Sequence, residues 1–139
     1  MEKSEEFLYR RPPAPIGGVV KILIVDDSKA MRMIVSRVLR QAGYGNAEFV
    51  EGSNGVEGLV HARAGDVDLI LSDWNMPEMN GIEFLQTLRA GGSTVRFGFV
   101  TSESTADMKE QAVLSGATFF ITKPFTAEAF GEVLGAVVA

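Results

Sequence analysis

Five side chains stand where short apolar runs end, at Asp26, Asp27, Asp73, Thr101 and Lys123. The run VDLILS at 67–72 is interrupted only by Asp68 and stops at Asp73. A short run with β-branched members, bounded by turn chemistry, reads as a buried strand. The residues after it, WNMPEMNG, include Pro77, Asn80 and Gly81, so the chain leaves that strand into a loop. In the same way VVKILIV (19–25) ends on Asp26 and Asp27, VRFGFV (95–100) on Thr101, and TFFIT (118–122) on Lys123-Pro124. In a parallel sheet the carboxyl ends of all strands share one edge, where open α/β folds place their chemistry. These five side chains are therefore expected to converge on one pocket.

Three carboxylates brought together repel one another, which makes them a poor stability feature. A hard divalent cation removes the repulsion. Mg2+ takes oxygen ligands, accepts one or two carboxylates, keeps waters and adds a phosphate oxygen. Lys123 suits a phosphoryl oxygen as a point charge, and the Thr101 hydroxyl can donate a hydrogen bond to another. The chemistry that uses these parts is phosphoryl transfer, with Asp73 as nucleophile and the cation and Lys123 spreading the developing charge. An ionised carboxylate needs no general base. Taken singly, Asp26 could be a helix N-cap, Thr101 a loop hydroxyl and Lys123 a surface lysine. Their joint placement at successive strand ends is what favours a site.

The totals leave room for this and exclude much else. A chain of 139 residues is one domain with a sizeable core, and 46% hydrophobic with 22% charged residues is ordinary for a globular protein. With no cysteine there is no disulfide framework and no thiolate ligand or nucleophile, and the single His61 removes any two-histidine metal site. A net charge of −5 argues against non-specific nucleic-acid binding. No apolar run approaches the roughly 20 residues of a membrane span, and the N-terminus has no apolar signal segment. The cytoplasm is the expected compartment.

The elements that must position the five residues alternate strand and helix. Residues 1–18, ending RRPPAPIGG, make a poor core segment and are expected to form a flexible arm, leaving 19–139 as the domain. Ser28 is a good N-cap for a helix with Met31, Ile34, Val35, Val38 and Leu39 on its apolar face, stopped by Gly43. AEFVE (47–51) is a short strand, and Val56, Leu59 and Val60 stripe a second helix to about Arg63. Ile82, Leu85 and Leu88 mark a third helix, ending near Gly91-Gly92. Ser104 with Asp107 resembles a capping box for a fourth, weakly striped by Met108, Ala112 and Val113. Thr126 caps a fifth, with Phe130, Val133, Leu134, Val137 and Val138 on one face. Five β-α units imply a parallel sheet covered on both faces.

On the residues DD at 26–27, SDWNMP at 72–77, TSE at 101–103 and KPF at 123–125, the chain resembles the response-regulator receiver family, most closely its single-domain, CheY-like chemotaxis branch. The resemblance implies a flavodoxin-like, doubly wound (βα)5 fold whose five-stranded parallel sheet has the order 2-1-3-4-5. It implies that Asp73 accepts phosphate from a sensor histidine kinase or a small phosphodonor. Mg2+, which Mn2+ can replace, would be held by Asp27, Asp73 and the backbone carbonyl of Asn75, with Asp26 acting through water. Thr101 and Lys123 would hold the phosphoryl oxygens, with a cis Lys123-Pro124 bond. Thr101 and Phe120 would form the switch, with Phe120 swinging inward, and Asn75 and Glu103 would tune hydrolysis. Trp74 is expected to be exposed and to report Mg2+ by quenching. Implied partners are the kinase, a phosphatase and a downstream protein such as a flagellar motor switch, the chain itself being a monomer and not an enzyme. Output would pass through protein binding, since the chain ends just after the fifth helix.

Other readings fit less well. An FMN carrier of the same topology needs a hydroxyl- and glycine-rich phosphate loop, where this chain has the acidic DDSKAM. A haloacid-dehalogenase-type phosphatase needs a second Asp where Asn75 stands. A phosphate sink or an unphosphorylated receiver-like interaction module is the remaining alternative, and the latter's mark would be a lost site residue.

Overall fold

A computed structural model describes residues 20–138, so the expected arm at 1–18 lies outside the described residues. Five strands, β1 (Lys21–Val25), β2 (Glu48–Gly52), β3 (Leu69–Ser72), β4 (Arg96–Thr101) and β5 (Phe119–Thr122), form one sheet. Its order is β2-β1-β3-β4-β5, and every pair is parallel, the flavodoxin-like doubly wound arrangement. The helices are α1 (Lys29–Leu39), α2 (Gly55–Arg63), α3 (Gly81–Ala90), α4 (Ala106–Ser115) and α5 (Ala127–Val138). α1 continues into a π-helical turn at Arg40–Tyr44, kinked where Gly43 takes φ 109°.

Side chains alternate across each strand, so the sheet builds two cores. On one face Leu23, Ile70, Phe97 and Phe99 pack with Leu59 of α2 and Phe84, Leu85 and Leu88 of α3. On the other, Ile22, Ile24, Leu69 and Leu71 pack with Val35 and Leu39 of α1 and Phe130, Val133 and Leu134 of α5. Asp68, the polar residue in its apolar run, stands just before β3 and accepts the Lys21 N–H at 2.8 Å, closing the start of β1.

Apolar periodicity placed the helices correctly but misjudged parts of two faces. Ile34 of α1 is 40% exposed, and Val56 and Val60 of α2 are 43% and 64% exposed. α2 packs instead through Gly55, Gly58 and Leu59, because a Cβ at Gly58 would press into the Phe84 ring of α3. Close helix–helix approach over glycine leaves no hydrophobic signature to count. α4 is capped by Thr105, whose Oγ1 accepts the Met108 N–H at 3.1 Å, and not by Ser104. Of its expected stripe only Ala112 is fully buried. The side chains of 137 and 138 lie outside those described.

Gly98 marks another close approach, since a Cβ there would overlap the Phe119 ring on the neighbouring strand. Overpacking of this kind typically costs about 1–3 kcal/mol. Gly98→Ala is expected to lower unfolding stability by about that much in urea titration, and unchanged stability would show that the β4–β5 contact is looser than described.

Candidate functional site

The site is built on the carboxyl edge of β1, β3, β4 and β5. Val25 and Ser72 are paired in register, so the residues that follow them, Asp26 and Asp73, leave the sheet side by side. The Asp73 N–H donates to the Val25 carbonyl at 2.9 Å, and the Asp26 N–H to the Gly52 carbonyl at 3.1 Å. Carboxylate oxygens of Asp26, Asp27 and Asp73 all lie within 4.8 Å of one another. Asp26 is buried, Asp73 half-buried and Asp27 exposed, so the cluster grades from core to surface. Ser28 caps α1 as expected, accepting the Met31 N–H, and its own N–H donates to Asp26 Oδ1 at 2.9 Å.

Lys123 is the cation that meets this cluster. Its Nζ lies 3.2 Å from Asp26 Oδ2 and 3.6 Å from Asp73 Oδ2. The residue after β5 is tied to the last residue of β4, because the Lys123 N–H donates to the Thr101 carbonyl at 2.8 Å. The Lys123-Pro124 bond is cis. Thr101 is 1% exposed, and its Oγ1 accepts a long 3.5 Å bond from the Glu103 N–H. At the rim Asn75 Nδ2 donates to Glu103 Oε1 at 3.0 Å, joining the loops after β3 and β4. The predicted residues thus come together on one edge.

Trp74 departs from expectation. It is buried, 8% exposed, with its ring centroid 4.7 Å from Phe99 and 6.4 Å from Phe120. Polar neighbours in the loop suggested exposure, but the indole turns down onto the aromatic residues of β4 and β5. The Trp74 backbone N–H, not the indole, donates to Asp73 Oδ1 at 2.7 Å. Phe120 is already inside, 4% exposed and 5.8 Å from Phe99.

Two supporting groups escaped the sequence reading. Gly81 starts α3 against the site, and a Cβ there would collide with the Asp73 carbonyl oxygen and crowd Phe99. The Ser72 hydroxyl donates to that same carbonyl at 2.8 Å. Only the NG pair at 80–81 hinted at the first, and nothing at the second.

The donor set is all oxygen and carries three negative charges against one lysine. It therefore suits a hard divalent cation and no soft metal.

The family model for the response regulator receiver domain matches residues 22–134. The chain belongs to this family. Among relatives, a CheY-3 chemotaxis protein of Vibrio cholerae is 38% identical over 117 residues, covering 83% of this chain and 88% of that protein. The chemotaxis protein CheY of Pseudomonas aeruginosa is 36% identical over 115 residues, covering 81% and 91%. The crystal structure of Vibrio cholerae CheY4 superposes with a TM-score of 0.77 at 34% identity, covering 86% of this chain and 99% of that one. The receiver domain is thus CheY-like and belongs to two-component signalling, a family of signalling proteins and not of enzymes in the usual sense. Among its described residues no helix is long and apolar enough to cross a membrane.

Burial pushes the Asp26 carboxyl above its ordinary value of 3.8, and the Asp73 charge adds to this, outweighing the Ser28 N–H and Lys123 that favour ionisation. Between 3.8 and the raised native value the folded receiver holds more protons than the unfolded chain, so this group's contribution falls as pH rises through that window. Asp26→Asn keeps the Oδ1 acceptor and removes the charge. Without divalent cation it is expected to unfold at higher urea than wild type at pH 7, with the difference closing as pH falls below 3.8. A variant less stable at pH 7 would mean that the Lys123 ion pair outweighs burial.

Proposed function

We propose that the receiver domain is phosphorylated on Asp73 in a Mg2+-dependent reaction and that the modification switches a protein-binding face. The observation that carries this reading is the lysine shared between two of three clustered carboxylates, with Asp73 fixed by the Trp74 N–H. A carboxylate oxygen of Asp73 attacks the donor phosphorus. The new O–P bond forms as the bond to the donor breaks, the P–N bond of a phosphohistidine or the P–O bond of an acyl phosphate, and its electron pair leaves with the donor. Asp27, Asp73 and the Asn75 carbonyl, with Asp26 acting through water, would hold Mg2+ or Mn2+, which would neutralise charge at the transferring oxygens.

Lys123 then trades its carboxylate contacts for a phosphoryl oxygen, and Thr101 turns its hydroxyl toward another. Moving Thr101 loosens what lies behind it, and the Trp74–Phe99–Phe120 stack carries the change to β5. The Asn75–Glu103 bond at the rim governs how water reaches the phosphoryl group. Partners in this reading are a sensor histidine kinase, a phosphatase and a downstream protein of the chemotaxis type, met by a monomer in the cytoplasm.

Intact mass after incubation with acetyl phosphate and Mg2+ tests the reading. A gain of one phosphoryl group that needs Mg2+ and vanishes in Asp73→Asn is expected. An adduct that persists in Asp73→Asn would place the acceptor elsewhere, and no adduct together with no response to beryllofluoride would favour an unphosphorylated interaction module.

A further inference from the structure

Arg32 is used by nothing described above, yet it touches the site from α1. Its Nη1 donates to the Asp26 backbone carbonyl at 2.6 Å, and its Nε donates to Glu51 Oε1 at 2.7 Å. The guanidinium side chain is 14% exposed, while Glu51 is 46% exposed. An ion pair on an open surface contributes little, so the pair alone would carry no argument. The carbonyl contact sets it apart. That oxygen belongs to the peptide joining Asp26 to Asp27, so Arg32 fixes the plane from which two of the three clustered carboxylates project.

The two carboxylates differ in what else holds them. Asp26 is anchored by the Ser28 N–H, by Lys123 and through its own N–H on Gly52. Among the described residues no hydrogen bond or ion pair reaches the Asp27 carboxylate, so its placement depends on the backbone beneath it. A guanidinium this near an acidic site would, by itself, compete with a cation. Glu51, at the end of β2, neutralises it, so the pair grips the peptide while adding little net charge to the site. Only a planar fork with donors on separate nitrogens reaches a carbonyl on one side and a carboxylate on the other, and a lysine at the same place can serve one acceptor well.

We propose that Arg32, with Glu51 as its counter-charge, is a positioning residue for divalent-cation binding, holding the Asp26–Asp27 peptide so that Asp27 joins Asp26 and Asp73 around one ion. This rests on the cation site of the proposed function. Geometry and charge predict opposite signs on removal. Losing a cation near the site should tighten Mg2+ binding, whereas losing the grip should weaken it.

The test is calorimetric titration of Mg2+ into the full chain as wild type, Arg32→Lys, Arg32→Ala and Glu51→Gln, with urea unfolding in the absence of Mg2+ as a check on folding. Outer-shell partners of metal ligands typically matter by about 10–100-fold in affinity. Arg32→Ala and Arg32→Lys are each expected to bind Mg2+ about 10-fold more weakly, at the low end of that range. Glu51→Gln, which leaves the guanidinium uncompensated, is expected to bind more weakly by a margin that shrinks with added salt. Arg32→Lys keeps the charge and the bulk, so it reports on the fork even if Arg32→Ala folds poorly. Equal or tighter Mg2+ binding in Arg32→Lys or Arg32→Ala would overturn the role given to Arg32. A wild-type chain that takes up no Mg2+ would instead overturn the cation site itself.

Discussion

Mutual repulsion among Asp26, Asp27 and Asp73 is the constraint that the rest of this receiver domain answers. At an effective dielectric near 20, two unit charges about 4 Å apart interact by about 4 kcal/mol, and these carboxylates lie within 4.8 Å of one another. A flexible scaffold would let them part. A parallel sheet does not, because strand register fixes Val25 against Ser72 and the next residue of each strand has one way to leave. Lys123 offsets part of the charge, and the Asp73 charge adds to the burial that raises the proton affinity of Asp26. In the proposed reaction the residual charge is what draws a divalent cation into place.

In the proposed function the same edge ties chemistry to signalling. Asp73 is held through the Trp74 N–H, and the Trp74 ring rests on Phe99, which in turn meets Phe120. Lys109 Nζ of α4 lies 5.9 Å from the Phe120 ring centroid, so the aromatic chain ends beneath a helix whose one buried side chain is Ala112. A change at Asp73 therefore meets close-packed rings first and a lightly anchored helix last. That order suits a switch, since packed interiors transmit displacement and weakly held elements move.

The sheet and the convergence of five side chains on one edge were legible because four of the five strands were apolar runs stopped by a polar residue, a pattern that needs no tertiary information. Ser28 as cap of α1 was legible for the same local reason. The errors share a cause in contacts made across elements. Val56 and Val60 were placed inward because hydrophobic periodicity cannot register that Gly58 lets α2 settle against Phe84. Trp74 was placed outward because its neighbours in sequence are polar, while Phe99 and Phe120, which bury it, are strands away. The pairing of Asn75 with Glu103 was legible only as two residues of related position, and their hydrogen bond required the loops to be seen together. Arg32 carried no signal, being one more charge on an amphipathic helix.

Unfolding in urea with and without Mg2+ measures most directly whether carboxylate repulsion organises the site. A cation that binds only the folded state stabilises it by mass action. The account predicts a midpoint that rises with Mg2+ in the wild-type chain and is nearly insensitive to Mg2+ in Asp27→Asn. A wild-type midpoint that ignores Mg2+ would contradict it, and would mean that Lys123 alone is enough to keep three carboxylates together.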